Sequence, residues 1–322
     1  MQTRQLGKTE LVLTTVGLGT FALGGPWEVG WGPQDDGEAI GAILEALDLG
    51  INWIDTAPIY GCGHSEELLR QALRESPHNP LIATKCGILW DTHRCKIPCL
   101  KAQSVREECH HSLRRLGVEV IDLYQMHRPE PEEDIEQAWE AMVRLQEEGK
   151  VRYLGVSVFT VEQMERLQRI APIDSIQPCY NLLHREIEDQ ILEYCHDHHI
   201  GVLAYSPLAR GLLTGTFNVE RLKQLPEDDH RHRLADFQDP QLSATLALVE
   251  QLKSLARTLG CHVAQLAIAW TLARPEVTSA IVGARRPGQI GETAPGGDIH
   301  LNEDIWTQID DLLTRRQKQL TN

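Results

Sequence analysis

The sequence predicts a (β/α)8 barrel of the TIM type, carrying an N-terminal hairpin and two added helices. Three observations lead there. Eight short apolar runs rich in β-branched residues alternate with segments of helical period. No run is followed by a Gly-x-Gly-x-x-Gly turn, as a doubly wound dinucleotide-binding sheet would require. No linker divides the chain. At 322 residues an average chain would form about two domains, but α/β barrels of this length are single units. Residues 1–322 are therefore read as one domain.

The elements follow in order. Residues 1–13, with a Gly7-Lys8-Thr9 turn, read as a short hairpin. Strands are expected at 15–19, 51–55, 80–85, 121–127, 151–157, 174–177, 201–206 and 278–283. Ile40, Ile43, Leu44 and Leu47 recur at i, i+3, i+4 and i+7, one face of a helix. Ile135, Trp139, Met142 and Leu145 keep helical spacing and end at Gly149, which reads as a glycine just past a helix C-terminus. Ser104 with Glu107, and Thr160 with Gln163, have the spacing of capping boxes. The gap from Ser206 to Thr278 is too long for one helix. It is read as a loop, an added helix near 239–259 and the seventh barrel helix at 262–273, and a terminal helix follows at 303–318. The charged stretch Pro226 to Arg233 is expected to be a mobile surface loop.

Composition narrows the function. Thirty-one basic against 46 acidic residues leave a net charge of −15, which repels nucleic-acid phosphates and acidic membranes, so neither partner is expected. No apolar run approaches the ~18 residues of a membrane span. The N-terminus lacks the apolar segment of a secretory signal, so a cytoplasmic protein is expected. Its eight cysteines are then read as reduced thiols. His93, Cys95 and Cys99 have no second pair of zinc-ligand spacing after them, so no metal site is expected.

The chemistry lies where the strands end. The runs finish in Asp55, Lys85, His127, Ser157, Gln177 and Tyr205, at the rim where barrel enzymes place their active sites. Asp55 could equally cap a turn, and His127 could be a hydrogen-bonded rim histidine. Lys85 is the informative residue. A lysine closing an apolar strand must find an anion or lose its charge, and Asp55 is the available partner. Tyr60 can curl back over the same rim from a Pro-Ile-Tyr-Gly turn. A buried ammonium beside its phenol is expected to pull the phenol pKa down from about 10, making Tyr60 a proton donor while His127 orients a carbonyl oxygen. The hydride must then come from a cofactor.

Several runs carry a resemblance. They are 17–25 (GLGTFALGG), 55–66 (DTAPIYGCGHSE), 83–87 (ATKCG), 125–129 (QMHRP), 155–157 (GVS), 177–183 (QPCYNLL), 205–215 (YSPLARGLLTG) and 281–292 (IVGARRPGQIGE). In this order the chain resembles the aldo-keto reductase superfamily over about residues 4–315, in its bacterial and potassium-channel β-subunit-like branch. The resemblance implies a catalytic tetrad of Asp55, Tyr60, Lys85 and His127, and NADPH held across the rim. It places Tyr205 against the nicotinamide and Ser157 and Gln177 on its carboxamide. Ser206, Leu208 and Gly211 fall in the loop over the diphosphate. Gly283, Arg285, Gln289 and Glu292 match the adenosine motif, with Arg285 suited to the 2′-phosphate. Two positions depart from the pattern: Val158 and Thr293 stand where the family has Asn, which implies one fewer carboxamide contact and looser adenine recognition.

The substrate is expected to be a small aldehyde or ketone, bound among Trp27, Trp31, Ile59, Trp90 and Arg128 just beyond strand ends. The tryptophans favour apolar or aromatic carbonyls. A rival reading is a regulatory module that binds NADPH as a redox sensor and turns over slowly. A metal-dependent hydrolase using His127 and Asp55 is disfavoured by Lys85 and by the lack of a His-x-His after the first strand. Oligomeric state is not legible in the sequence.

Overall fold

The computed structural model describes residues 1–321. Eight parallel strands close into a barrel: β1 (Val16–Gly19), β2 (Trp53–Asp55), β3 (Leu81–Cys86), β4 (Ile121–Met126), β5 (Val151–Ser157), β6 (Ser175–Gln177), β7 (Gly201–Tyr205) and β8 (Val277–Gly283). Each pairs with the next, and β8 returns to β1 with Gly283 opposite Gly19. Register brings the polar strand ends to one rim, with Asp55 beside Gly19, Lys85 beside Gln125 and Ser157 beside Gln177.

Alternation along the strands sorts the apolar residues into two layers. Ile54, Ile82, Tyr124, Ile176, Val202 and Val282 face outward and pack under the helices. Trp53, Ala83, Leu123, Leu203 and Ile281 face inward and fill the barrel. Gly17 makes room for this filling, since a Cβ there would lie 2.1 Å from the Trp53 indole. The lower end is closed by the hairpin of Thr3–Gln5 with Val12–Thr14, whose Leu6, Leu11 and Leu13 join the inner cluster.

The helices are α1 (Asp36–Asp48), α2 (His64–Glu75), α3 (Ala102–Leu116), α4 (Ile135–Glu147), α5 (Val161–Gln168), α6 (Ile191–His198), α7 (Val219–Lys223), α8 (Gln241–Thr258), α9 (Val263–Leu272), α10 (Gln289–Thr293) and α11 (Glu303–Thr321). The barrel, the hairpin and the added α8 and α11 match the expected architecture. Among the described residues no helix is long and apolar enough to cross a membrane. The Thr160–Gln163 capping box is present, with Gln163 N–H on Thr160 Oγ1 at 3.2 Å and Thr160 N–H on Gln163 Oε1 at 3.1 Å.

Two local expectations are corrected, and one added hairpin is found. The Ser104–Glu107 box does not form, because α3 begins three residues earlier, capped at Lys101; Ser104 instead donates its hydroxyl to Glu108. Residues 88–98 form a hairpin, Ile88–Trp90 against Lys96–Pro98. The segment 226–233 is exposed at Pro226–Asp228 and at Arg233, as a surface loop should be, but its middle packs inward. Asp229, His230 and Arg231 are buried, and Arg231 spends its charge on Asp229 at 2.6 Å.

Candidate active site

Lys85 is the centre of the rim. Its side chain has no exposed surface, and Nζ donates to both Asp55 carboxylate oxygens at 2.8 and 2.7 Å and to the Thr56 carbonyl at 2.9 Å. Burial lowers the Lys85 pKa and the Asp55 carboxylate opposes that shift. Asp55 is held in turn by the Gln177 amide, 2.7 Å from Oδ1, and more distantly by Gln125 at 3.5 Å. Ser157 donates to the Gln177 carbonyl at 2.9 Å. Behind Lys85, Thr84 donates to Glu66 at 2.7 Å, and Glu66 also takes the Arg115 guanidinium at 2.7 Å.

Tyr60 lies over this network, its ring centroid 5.1 Å from Lys85 Nζ. The His127 ring meets it edge-on at 5.8 Å. The phenol is not depressed as the sequence reading anticipates. Burial pushes it well above its usual value, Asp55 adds to this, and only Arg128 opposes. Desolvation outweighs the cation because Lys85 is already neutralised by Asp55. His127 is held well below its usual value by burial and by Lys85, Arg128 and Lys96, so its ring is neutral near pH 7.

The mouth above Tyr60 is aromatic. Phe21 touches Tyr60, Trp27, Trp31 and His230 with centroid distances of 5.2 to 6.3 Å. The indole N–H groups of Trp27 and Trp31 are buried without an acceptor. Arg231 lies 4.2 Å over the Trp31 ring. Ile59 is buried behind Tyr60, in one apolar cluster with Ile88 and with Trp27 and Trp90 against it. Arg128 is exposed and has no hydrogen-bond or ion-pair partner among the described residues.

Across the rim, Tyr205 ends β7 half-buried, and the chain then turns through left-handed geometry at Ser206 (φ 56°), Ala209 (45°), Arg210 (54°) and Gly211 (105°). Three of these carry side chains, and such backbone persists only where its surroundings hold it. Asn181 does so by donating to the Ser206 carbonyl at 3.0 Å, with Leu208 packed on the core. Gly283 ends β8 exposed. Arg285 follows, its N–H on Gln289 Oε1 at 2.7 Å and its guanidinium on Gln34 Oε1 and the Trp31 and Pro33 carbonyls at 2.7, 3.2 and 2.6 Å. Glu292 is exposed beyond it, and Thr293 turns its hydroxyl onto the Gln289 carbonyl at 3.1 Å.

The model of the Aldo/keto reductase family matches residues 15–314. The chain belongs to this family. It is 41% identical to the aldo-keto reductase YhdN of Bacillus subtilis (strain 168) over 97% of this chain and 94% of that protein. It is 34% identical to an NADH-specific methylglyoxal reductase of Escherichia coli (strain K12), over 92% and 94%. The solved structure of the glycerol dehydrogenase AKR11B4 from Gluconobacter oxydans superposes with a TM-score of 0.89 at 39% identity, covering 98% of this chain and 95% of that one. The holo form of AKR11C1 from Bacillus halodurans does so at 0.80 and 26%, covering 97% and 96%. The protein is thus an oxidoreductase of the aldo-keto reductase family on a (β/α)8 barrel.

In this aldo-keto reductase the four residues Asp55, Tyr60, Lys85 and His127 do converge, and Ser157 and Gln177 join them through Asp55. Tyr205, Ser206, Leu208 and Gly211 form one wall of the rim, and Gly283, Arg285 and Gln289 another. Sequence reasoning missed Gln125, which shares the inward face of β4 with His127 two residues on, a signal that strand periodicity carries. It also missed Phe21, Glu66, Arg115, His230 and Arg231, whose partners are remote in sequence.

Proposed function

We propose that this aldo-keto reductase reduces aldehydes and ketones to alcohols with NADPH, using Tyr60 as the proton donor. The observation that carries the reading is the Lys85–Asp55 pair buried beneath a Tyr60 phenol that faces His127. The rim fits a dinucleotide on three counts: the strained turn at 206–211 can present backbone N–H groups to an anion, the half-exposed Tyr205 ring can stack, and Gly283 leaves its strand end open. NADPH bound there would supply the hydride.

The residues do the rest. Neutral His127 can donate a hydrogen bond to the substrate oxygen and set its direction. Tyr60, with its raised pKa, arrives protonated, and it can give its proton because a developing alkoxide is a far stronger base than a phenolate. Lys85, 5.1 Å from the ring centroid, favours the phenolate as it forms. Asp55 keeps Lys85 charged against burial, and Gln177 and Gln125 hold Asp55. Trp27, Trp31, Ile59, Trp90 and Arg128 shape the substrate pocket.

NADP is favoured over NAD by the half-buried guanidinium of Arg285 with Arg231 close enough to depress its pKa. Three of Arg285's five N–H groups serve the 31–34 loop, which leaves two for a 2′-phosphate. The Escherichia coli relative is NADH-specific, so the decisive experiment runs both coenzymes against aldehydes, ketones and dicarbonyls. Tyr60→Phe should lower kcat by roughly 100-fold or more while NADPH still binds. A variant with near wild-type kcat removes Tyr60 from the chemistry.

A further inference from the structure

Resting on the reading of Arg285 as the 2′-phosphate ligand, we propose that Gln34 is a positioning residue that locks the Arg285 guanidinium to the loop carrying Trp31, so that the coenzyme's 2′-phosphate and the aromatic wall of the substrate pocket are held by one rigid unit. The two residues grip each other twice. Arg285 Nε donates to Gln34 Oε1 at 2.7 Å, and Gln34 Nε2 donates to the Arg285 backbone carbonyl at 2.7 Å. Gln289 accepts the Arg285 backbone N–H at 2.7 Å, so side-chain amides fix both backbone polar groups of Arg285. The double contact needs a group with a donor and an acceptor at this reach. A carboxylate brings acceptors alone and an ammonium donors alone, and asparagine is one methylene shorter.

The loop is anchored on both sides of this clamp. After Gln34, the Asp35 side chain caps α1 by accepting the Glu38 N–H at 2.9 Å. Before it, the Pro33 and Trp31 carbonyls accept from Arg285 Nη2 and Nη1 at 2.6 and 3.2 Å. The Trp31 ring lies 4.2 Å under Arg231 and meets Phe21 at 6.3 Å, and Phe21 meets Tyr60 at 5.2 Å. Contacts thus run without a break from the guanidinium to the phenol. Trp31 and Pro33 offer Arg285 backbone carbonyls, which any residue there would supply. Gln34 is the loop partner whose side chain decides the geometry. A guanidinium is planar and rigid, so holding its Nε–H also sets the direction of the donors left for a phosphate.

The test titrates the apo-protein calorimetrically with NADP⁺ and NAD⁺, which differ only by the 2′-phosphate. The wild type should prefer NADP⁺ by about 10- to 100-fold, the scale of a charge-assisted hydrogen bond. Gln34→Ala should cut that ratio by about 2- to 10-fold, the scale of one net hydrogen bond, with NAD⁺ binding unchanged. Gln34→Glu keeps the acceptor but sets a carboxylate against the phosphate, and should cut the ratio by about 10-fold or more. Added to Arg285→Ala, Gln34→Ala should change neither affinity, because it acts only through the guanidinium. At the substrate end, with NADPH, Gln34→Ala should raise the KM for benzaldehyde over that for propanal by about 2- to 10-fold while kcat moves less. Equal wild-type affinities for NADP⁺ and NAD⁺ overturn the 2′-phosphate reading itself, and the proposal with it. A wild-type preference that survives both Gln34 variants, or an equal loss of both coenzymes, overturns the role of Gln34 and leaves that reading standing. An unshifted benzaldehyde KM overturns the link to the substrate wall.

Discussion

Val158 occupies backbone that valine rarely adopts. Its φ is +62°, its side chain is exposed, and its N–H donates to the Gln177 carbonyl at 3.2 Å. A left-handed conformation costs an L-residue about 1–2 kcal/mol, and a β-branched one is a true outlier there, whereas Asn tolerates it. Val158→Asn should therefore stabilise the apo-protein by about 1 kcal/mol. At ~2.1 cal/mol/K of unfolding entropy per residue, a chain of 322 residues gains about 1.5 °C in Tm. The new amide also lies beside Ser157 and Gln177. One more net hydrogen bond, ~0.5–1.5 kcal/mol, should tighten NADPH by about 2- to 10-fold. Val158→Gly separates the two effects: it relieves φ, gives back ~0.5–1 kcal/mol in unfolded-chain entropy, and supplies no amide. The assays are a melting curve of the apo-protein and titration with NADPH by fluorescence quenching. A lower Tm for Val158→Asn would refute the strain argument, and equal tightening by Gly and Asn would refute the amide.

Three other outcomes are expected. Lys85→Met strands the Asp55 carboxylate in the core and should cost ~3–5 kcal/mol in denaturant unfolding; adding Asp55→Asn should restore much of that stability without restoring turnover, and a stable single variant contradicts the pairing. Arg285→Ala should weaken NADPH by about 10- to 100-fold with NADH changed only a few-fold, and should alter Trp31 fluorescence because the 31–34 loop loses its anchor; equal losses for both coenzymes argue against a 2′-phosphate contact. Burial raises Glu108 to about 7, so the folded state binds its proton more tightly than the unfolded chain. Its stabilising contribution is complete below about pH 4.5 and is lost as pH rises through about 7. Glu108→Gln should remove that dependence and recover about 3 kcal/mol at pH 8, and an unchanged pH profile of unfolding would rule Glu108 out as its source.

Legibility followed the range of the interactions. Asp55, Lys85 and His127 were readable because a polar residue ending an apolar strand is a local signal. Gln125 was equally local, since strand alternation puts it on the face of His127. The turn at 226–233 was not readable: Arg231 and His230 are charged or polar in sequence, and their rings of contact, Trp31 and Phe21, lie some two hundred residues away. The Tyr60 phenol shows a second limit. Proximity to Lys85 follows from the strand order, but the sign of the pKa shift depends on burial and on Asp55 having already claimed the ammonium. The start of α3 shows a third, since Ser104 and Glu107 have capping spacing and the helix simply begins a turn sooner than they require.

The hairpin that closes the lower end of the barrel joins the beginning of the chain to its end. Arg4 donates to the carbonyls of Leu272 and Val277, Gln2 to Asp298 at 3.0 Å, and Leu6 packs where a Cβ on Gly201 would lie 2.3 Å from its methyl group. On a ribosome, the first dozen residues therefore emerge long before anything exists to receive them. Leu6, Leu11 and Leu13 lack the Leu203 and Ile281 side of their cluster until β7 and β8 have been made, and β1 waits equally long for β8. Closure is thus a late event that depends on sequence-distant contacts, which are slow to form. A chain stalled before Val277 would present both an open strand edge and three incompletely covered leucines, the features that chaperones hold and that drive aggregation when they do not.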